Sequence, residues 1–202
     1  MLVHAVRAIA AARGVDLVVV AAPSGRVEDT RTLLRDQHEG AELEVVAGGT
    51  TRPESVRTAL AVLPLTSTFV LVHDAARPLA PVHLVEAVVA ALEAGADAVV
   101  PGVPVVDTVK AVSGGVVTAT LDRSGLCAVQ TPQGFRRAVL ERAHDEHDAA
   151  GPDMTDDAGL VERLGVSVVV VPGHAEAFKV TRPLDLLLAE AVLARREVSG
   201  AR

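Results

Sequence analysis

Phe69-Val70-Leu71-Val72-His73-Asp74-Ala75-Ala76-Arg77-Pro78 sets an aspartate at the end of a short apolar run. The run is too short and too β-branched for a helix and reads as a buried parallel strand. The open end of such a strand is where α/β folds build sites, so the Asp74 carboxylate is placed to hold a metal. Taken alone, the same residues also read as an aspartate that starts a turn before Pro78.

Outward from this strand, helical and extended patterns alternate. Residues 2–13 carry Leu2, Val6, Ile9 and Ala10 on one stripe, and Gly14 stands where helices end. Residues 17–21 read as a buried strand, Pro23-Ser24-Gly25 as a turn, 27–36 as a helix and 43–46 as a second strand. A helix over 54–62, the strand 69–72, a helix entered at Pro81 and closed at Gly95, and a strand over 98–100 follow. The alternation predicts a parallel sheet with crossover helices.

Beyond Val103 the period changes. Extended pieces at 105–111, 116–121 and 126–129 are separated by Gly114-Gly115 and Arg123-Ser124-Gly125, and Gly-Gly between β-prone runs is a hairpin signal. This segment, about 104–130, reads as a projecting β-arm. Helices are expected at 136–148 and 156–164, the second N-capped by Thr155, then a strand at 167–171 and a last helix at 183–195. Asp156 and Asp157 are read as first-turn acids that favour the helix dipole rather than as metal ligands. His144 and His147 are read as a solvated helix face.

Composition bounds the function. The 202 residues form one domain that is 50% hydrophobic and 1% aromatic, so its core is built from Val, Leu and Ala. A net charge of −7 argues against a long nucleic-acid partner and for small anionic ligands. The single cysteine, Cys127, excludes an intrachain disulfide framework and agrees with a reducing compartment. No apolar run approaches the roughly 20 residues that span a bilayer, so neither a membrane nor a signal peptide is read and the expected location is cytoplasmic. Neither GxGxxG nor GxxxxGK[ST] occurs, and the chain opens on a helix where a doubly wound fold opens on a strand and glycine-rich loop.

Gly48-Gly49-Thr50-Thr51-Arg52-Pro53-Glu54-Ser55-Val56, His73-Asp74-Ala75-Ala76-Arg77-Pro78, Asp107-Thr108-Val109-Lys110, Thr131-Pro132-Gln133, Thr155-Asp156-Asp157-Ala158 and Lys179-Val180-Thr181-Arg182-Pro183-Leu184-Asp185-Leu186 fall in one order along the chain. In that order the sequence resembles the 2-C-methyl-D-erythritol 4-phosphate cytidylyltransferases. The resemblance implies a Rossmann-like nucleotidyltransferase, a three-layer α/β sandwich with a β-arm for homodimerisation. It implies an enzyme that joins CTP to 2-C-methyl-D-erythritol 4-phosphate and releases pyrophosphate in the non-mevalonate isoprenoid pathway. Family members carry a strand and a glycine-rich loop upstream of the first helix here, so an N-terminal truncation that removes a catalytic arginine and lysine is expected.

By the same resemblance, Asp74 coordinates Mg²⁺ on the CTP phosphates, a hard ligand for a hard cation, and Lys179 places a compact charge by the α-phosphate. Gly48, Gly49, Thr50, Ser55 and Ala75 line the nucleotide, with Arg52 bracing their loop. Thr50 stands where many relatives have an acid, and Ala177 where many have asparagine. Thr108 and Arg123, on the arm, reach the partner subunit's site to hold the second substrate, Arg123 as a catalytic residue. Arg77 is assigned to substrate phosphate or to bracing Asp74, and Thr181 to substrate. Two alternatives stand beside this reading: a cytidylyltransferase for another polyol phosphate such as ribitol 5-phosphate, and a shortened, non-catalytic, dimer-forming paralogue.

Overall fold

The strand that leads to Asp74 lies in a mixed sheet between two layers of helices. The computed structural model describes residues 1–37, 39–146 and 155–199. The chain begins α1 (Leu2–Ala10), β1 (Leu17–Ala22), α2 (Val27–Leu34), β2 (Glu42–Ala47), α3 (Arg52–Val62), β3 (Phe69–Val72), α4 (Val82–Glu93) and β4 (Ala98–Pro104). It continues β5 (Lys110–Ser113), β6 (Val116–Thr120), β7 (Cys127–Val129), β8 (Gln133–Arg136), α5 (Arg137–Asp145), α6 (Asp157–Arg163), β9 (Val168–Pro172) and α7 (Pro183–Ser199).

β1 and β2 pair in parallel as a sheet of their own. In the larger sheet β8 pairs antiparallel with both β3 and β4, β7 continues along the same edge of β4, and β9 lies parallel to β4 on its other side. The expected all-parallel sheet is therefore corrected to a mixed one. The strand that sequence patterning missed is β8, whose Gln133-Gly134-Phe135-Arg136 has no apolar alternation. Other differences are local. Residues 105–109 are not a strand and β5 begins at Lys110. α5 ends at Asp145, residues 147 and 148 lie outside the described residues, and Asp156, not Thr155, caps α6.

β8 is buried because each residue finds a specific partner. Phe135 joins Leu60, Val70, Ala98, Val100, Leu140, Leu160 and Val161 in the largest core cluster, against α3, α5 and α6. Successive side chains of a strand face opposite sides, so Leu71 packs the other way, with Val88, Leu92 and Val99 and with Ile9, Val85 and Val18, under α4 and α1. Gly134 lies beneath α4, where a Cβ would come 2.5 Å from Val88 Cγ1 and 2.9 Å from Leu92 Cδ1.

Among the described residues, the hairpin of β5 and β6 pairs only within its own two-stranded sheet. Gly114 and Gly115 turn it at φ of 57° and 79°, the left-handed pair that a tight two-residue hairpin turn requires.

The carboxyl end of β3 is pinned by one hydroxyl. Thr131 Oγ1 accepts from the Asp74 amide at 3.0 Å and lies 3.0 Å from His73 Nδ1, while His73 Nε2 lies 3.1 Å from the Arg77 carbonyl. A carbonyl only accepts, so Nε2 carries the proton, Nδ1 accepts from the threonine, and the ring is neutral. Burial pushes the His73 pKa down to about 4, against the opposing hydrogen bond to Arg77 and the Asp74 charge.

Gly134→Ala is expected to destabilise the fold by about 1–3 kcal/mol, because stiff Val88 cannot move aside in a full core; an unchanged midpoint in thermal melting would contradict the packing. A lowered histidine pKa means that the unfolded chain binds the proton first. The His73 contribution is therefore complete above about pH 6.5 and is lost as pH falls through about 4. The loss is at most about 3 kcal/mol, less where the open edge of the residue stays hydrated. Denaturant titrations across that window, compared with His73→Gln, measure it.

Candidate active site

The loop after β2 is built by the first turn of α3. Thr51 caps the helix, and its Oγ1 accepts from the Glu54 amide at 3.3 Å while Glu54 Oε2 accepts from the Thr51 amide at 3.2 Å. The same Oε2 accepts from the Thr50 amide and hydroxyl, both at 2.6 Å. These bonds, the Thr50 hydroxyl first, hold the Glu54 carboxyl below its usual range. Ser55 Oγ accepts from the Gly49 amide at 3.2 Å and donates to the Thr51 carbonyl at 2.9 Å. Gly49 sits so close to α3 that a Cβ would lie 2.1 Å from the Glu54 Cβ. Glu54 and Ser55 thus hold the loop, and Arg52, expected to brace it, points elsewhere.

Arg52 faces two carboxylates. Its Nη2 is 2.7 Å from Asp157 Oδ2 and its Nε 3.6 Å from Asp74 Oδ1, while Lys179 Nζ is 2.9 Å from Asp74 Oδ2. Burial alone would raise the Asp74 pKa, but the hydrogen bond and charge of Lys179, then Arg52 and Arg77, hold it below the usual carboxylate range. Asp74 is ionised and flanked by cations on both oxygens. Ala75 follows it in the turn closed by the Arg77 amide on the Asp74 carbonyl at 2.8 Å.

Lys179 comes from a different part of the chain, after β9 and a 3-10 turn at Ala175–Ala177. Two bonds tie that segment to the β3 turn: the Val180 amide donates to the Ala76 carbonyl at 2.7 Å, and Arg77 Nη1 donates to the Ala177 carbonyl at 2.7 Å. Arg77 also donates to the Val129 carbonyl at 3.3 Å. Its guanidinium therefore ties the turn before Lys179 to the root of the arm. Phe178 packs in the cluster of Leu79 and Val180, and Ala177 beside it is fully buried. Thr181 lies at the entry to α7, where its amide and hydroxyl both donate to Asp185 Oδ2, at 2.9 and 3.2 Å.

The residues around Asp157 were not legible as part of the site. Gln133, buried at the start of β8, donates to Asp156 Oδ2 at 2.6 Å and accepts from the Ala158 amide at 3.1 Å, fixing α6 to the sheet. Asp156 Oδ1 accepts from the Gly159 amide at 3.0 Å as the helix cap. Asp157 and His144 are 1% and 2% exposed and are joined at 2.9 Å. The solvated helix face expected for His144 is therefore corrected to a buried contact between α5 and α6; His147 lies outside the described residues. The signal available in the sequence was a histidine and an aspartate on successive helices, which does not by itself reveal burial.

Thr108 and Arg123 stand apart from this cluster. Thr108 is exposed in the loop before β5. Arg123 donates to the Val106 carbonyl and lines an open cavity of about 700 Å³ with Pro104, Val105, Asp122 and Cys127. Among the described residues, no hydrogen bond or ion pair joins either to Asp74, and no three His, Cys, Asp or Glu side chains converge as a metal cage.

Residues 1–195 match the sequence profile of 2-C-methyl-D-erythritol 4-phosphate cytidylyltransferase. A protein of that name from Streptomyces coelicolor is 57% identical over 98% of this chain and 76% of its own length. Its namesake from Rhodococcus jostii is 50% identical over 96% and 82%. The crystal structure of 4-diphosphocytidyl-2C-methyl-D-erythritol synthase from Anaerococcus prevotii superposes with a TM-score of 0.87 at 28% identity, covering 96% of this chain and 88% of that one. The crystal structure of the Thermus thermophilus cytidylyltransferase gives 0.70 at 36% identity, over 88% and 98%. With its profile match across nearly the whole chain and its ionised Asp74 held between Lys179 and Arg52, the chain belongs to the 2-C-methyl-D-erythritol 4-phosphate cytidylyltransferase family.

Proposed function

We infer that the chain transfers the cytidylyl group of CTP to 2-C-methyl-D-erythritol 4-phosphate, giving 4-diphosphocytidyl-2-C-methyl-D-erythritol and pyrophosphate in the non-mevalonate pathway. The observation that carries the reading is the ion-paired Asp74, placed among cations from two other segments. An oxygen of the substrate phosphate bonds to the α-phosphorus as the α–β bridging bond breaks, so no protein nucleophile is needed. Such a step is promoted by in-line positioning and by cations facing the charge on the α-phosphate and the departing pyrophosphate. Lys179 is the cation for the α-phosphate, held in place by Val180 and Arg77 through the β3 turn. The loop of Gly48, Gly49 and Thr50, with Ser55 beneath it and Ala75 nearby in sequence to Asp74, receives the cytidine.

Asp74 is a single ionised carboxylate, a donor set that fits Mg²⁺ when the remaining ligands are phosphate oxygens and water. Bound there, Mg²⁺ would neutralise the triphosphate and act as Lewis acid. In the reading, Arg123 and Thr108 hold the second substrate in a partner subunit. The exposed apolar side chains of the arm support the homodimer: Val106, Val112 and Val116 are 77%, 59% and 68% exposed. No helix among the described residues is long and apolar enough to cross a membrane, and Cys127 is an exposed free thiol; we place the reaction in the cytoplasm.

The test is pyrophosphate release with CTP, Mg²⁺ and 2-C-methyl-D-erythritol 4-phosphate, with ribitol 5-phosphate as control. Release that depends on the methylerythritol substrate is expected, and Asp74→Asn should lower kcat/KM by about 10²–10³-fold, the scale of removing one group that stabilises developing charge. No release from folded wild-type protein, or preference for the ribitol ester, would overturn the reading.

A further inference from the structure

His144 is a histidine that the reaction as described does not use, yet it is among the most deeply buried polar side chains of the protein, 2% exposed at the contact of α5 with α6. Its Nε2 lies 2.9 Å from Asp157 Oδ1. The other oxygen of Asp157 lies 2.7 Å from Arg52 Nη2, and Arg52 Nε lies 3.6 Å from Asp74. A continuous polar path therefore runs from between two helices to the carboxylate at the end of β3. We propose that His144 is a positioning residue for the nucleotide site, acting through Asp157 to hold the Arg52 guanidinium at a fixed stand-off from Asp74. The proposal rests on the cytidylyl-transfer reading of that site.

Asp157 is 1% exposed and hydrogen-bonded to His144 and paired with Arg52, and these outweigh the burial that would raise its pKa. Its carboxylate is therefore acceptor-only, and the proton of the 2.9 Å bond sits on His144 Nε2. That bond occupies Oδ1 and leaves Oδ2 for Arg52. The carboxylate cannot rotate without breaking the His144 hydrogen bond, made in a closed contact where an unmade bond costs most, or lengthening its ion pair with Arg52. Arg52 is consequently drawn toward Asp157, at 2.7 Å, rather than onto Asp74, at 3.6 Å. Without His144, Asp157 turns and Arg52 is free to close on Asp74, competing for the oxygen that a cation or the triphosphate complex needs.

The arrangement differs from a simple buried fastening in what it controls. Loss of a fastening lowers stability and the fraction of active molecules, and with it the apparent kcat. Loss of a positioning bond weakens binding at Asp74 while leaving chemistry at saturation. Gln can present its amide nitrogen near the site of Nε2, so it restores the donor; Leu fills space and supplies none.

The experiment compares wild type, His144→Leu and His144→Gln in the full chain by steady-state kinetics with CTP and Mg²⁺, by thermal melting, and by NMR of the ligand-free protein. His144→Leu is expected to raise the KM for CTP and the half-saturating Mg²⁺ about tenfold with kcat within threefold, and His144→Gln to recover most of both, on the scale of a hydrogen bond to a charged group. A lower kcat with unchanged KM, or no recovery by Gln in a folded protein, would overturn the proposal. The NMR arm is independent of turnover. His144 should show the proton on Nε2, and the Arg52 Nε–H resonance should shift in His144→Leu and return in His144→Gln. If wild type shows no transfer but the NMR shifts appear, the functional reading fails and the positioning stands; an Nε2 without a proton or an unmoved Arg52 resonance overturns the positioning whatever the activity.

Discussion

The ion pair of Asp74 with Lys179 joins two parts of the chain that share no local structure. Asp74 follows β3, the strand at one end of the larger sheet, and Lys179 lies in the connection between β9 and α7. The pair has its geometry only because the backbone beneath it is tied twice, by Val180 to Ala76 and by Arg77 to Ala177. Thr131 fixes the Asp74 amide from the junction of β7 and β8. Every other feature of the site is arranged around a carboxylate that these bonds prevent from moving.

The electrostatics of the site have a simple logic. A carboxylate withdrawn from water costs free energy unless cations and donors replace the lost hydration. Lys179 and Arg52 supply that replacement for Asp74, and His144 and Arg52 supply it for Asp157. The same cations are suited to a triphosphate. A ligand that brings its own negative charge, with a divalent metal for Asp74, can exchange one set of ion pairs for another without leaving any charge unmatched. Preorganised cations of this kind favour charge developing on phosphate oxygens because they need not reorganise as it develops.

Much of this was legible in the sequence, and the rest was hidden for identifiable reasons. β1, β3, β4 and β9 are runs rich in Val, Leu and Ala, and the α4 stripe closes at Gly95 as capping rules require. Asp74 and Lys179 were singled out from their motifs, and the structure joins them in an ion pair that nothing local announced. β8 was hidden because its burial is tertiary: Gln133 is satisfied by Asp156 and Ala158, and Gly134 is needed under Val88. His144 looked like surface because its neighbours Asp145 and Glu146 are charged, and its partner lies on the next helix. Arg52 was expected to brace the loop and instead pairs with Asp157 and Asp74, since the capping box leaves Glu54 to hold the loop.

The most direct test of the central claim is the crystal structure of the protein with CTP and Mg²⁺, read at Lys179. The account predicts that Lys179 Nζ moves from Asp74 Oδ2 to a phosphate oxygen, with the metal on Asp74 and the cytosine against the Gly48–Gly49–Thr50 backbone. A triphosphate bound elsewhere, with the 2.9 Å pair between Lys179 and Asp74 intact, would contradict it.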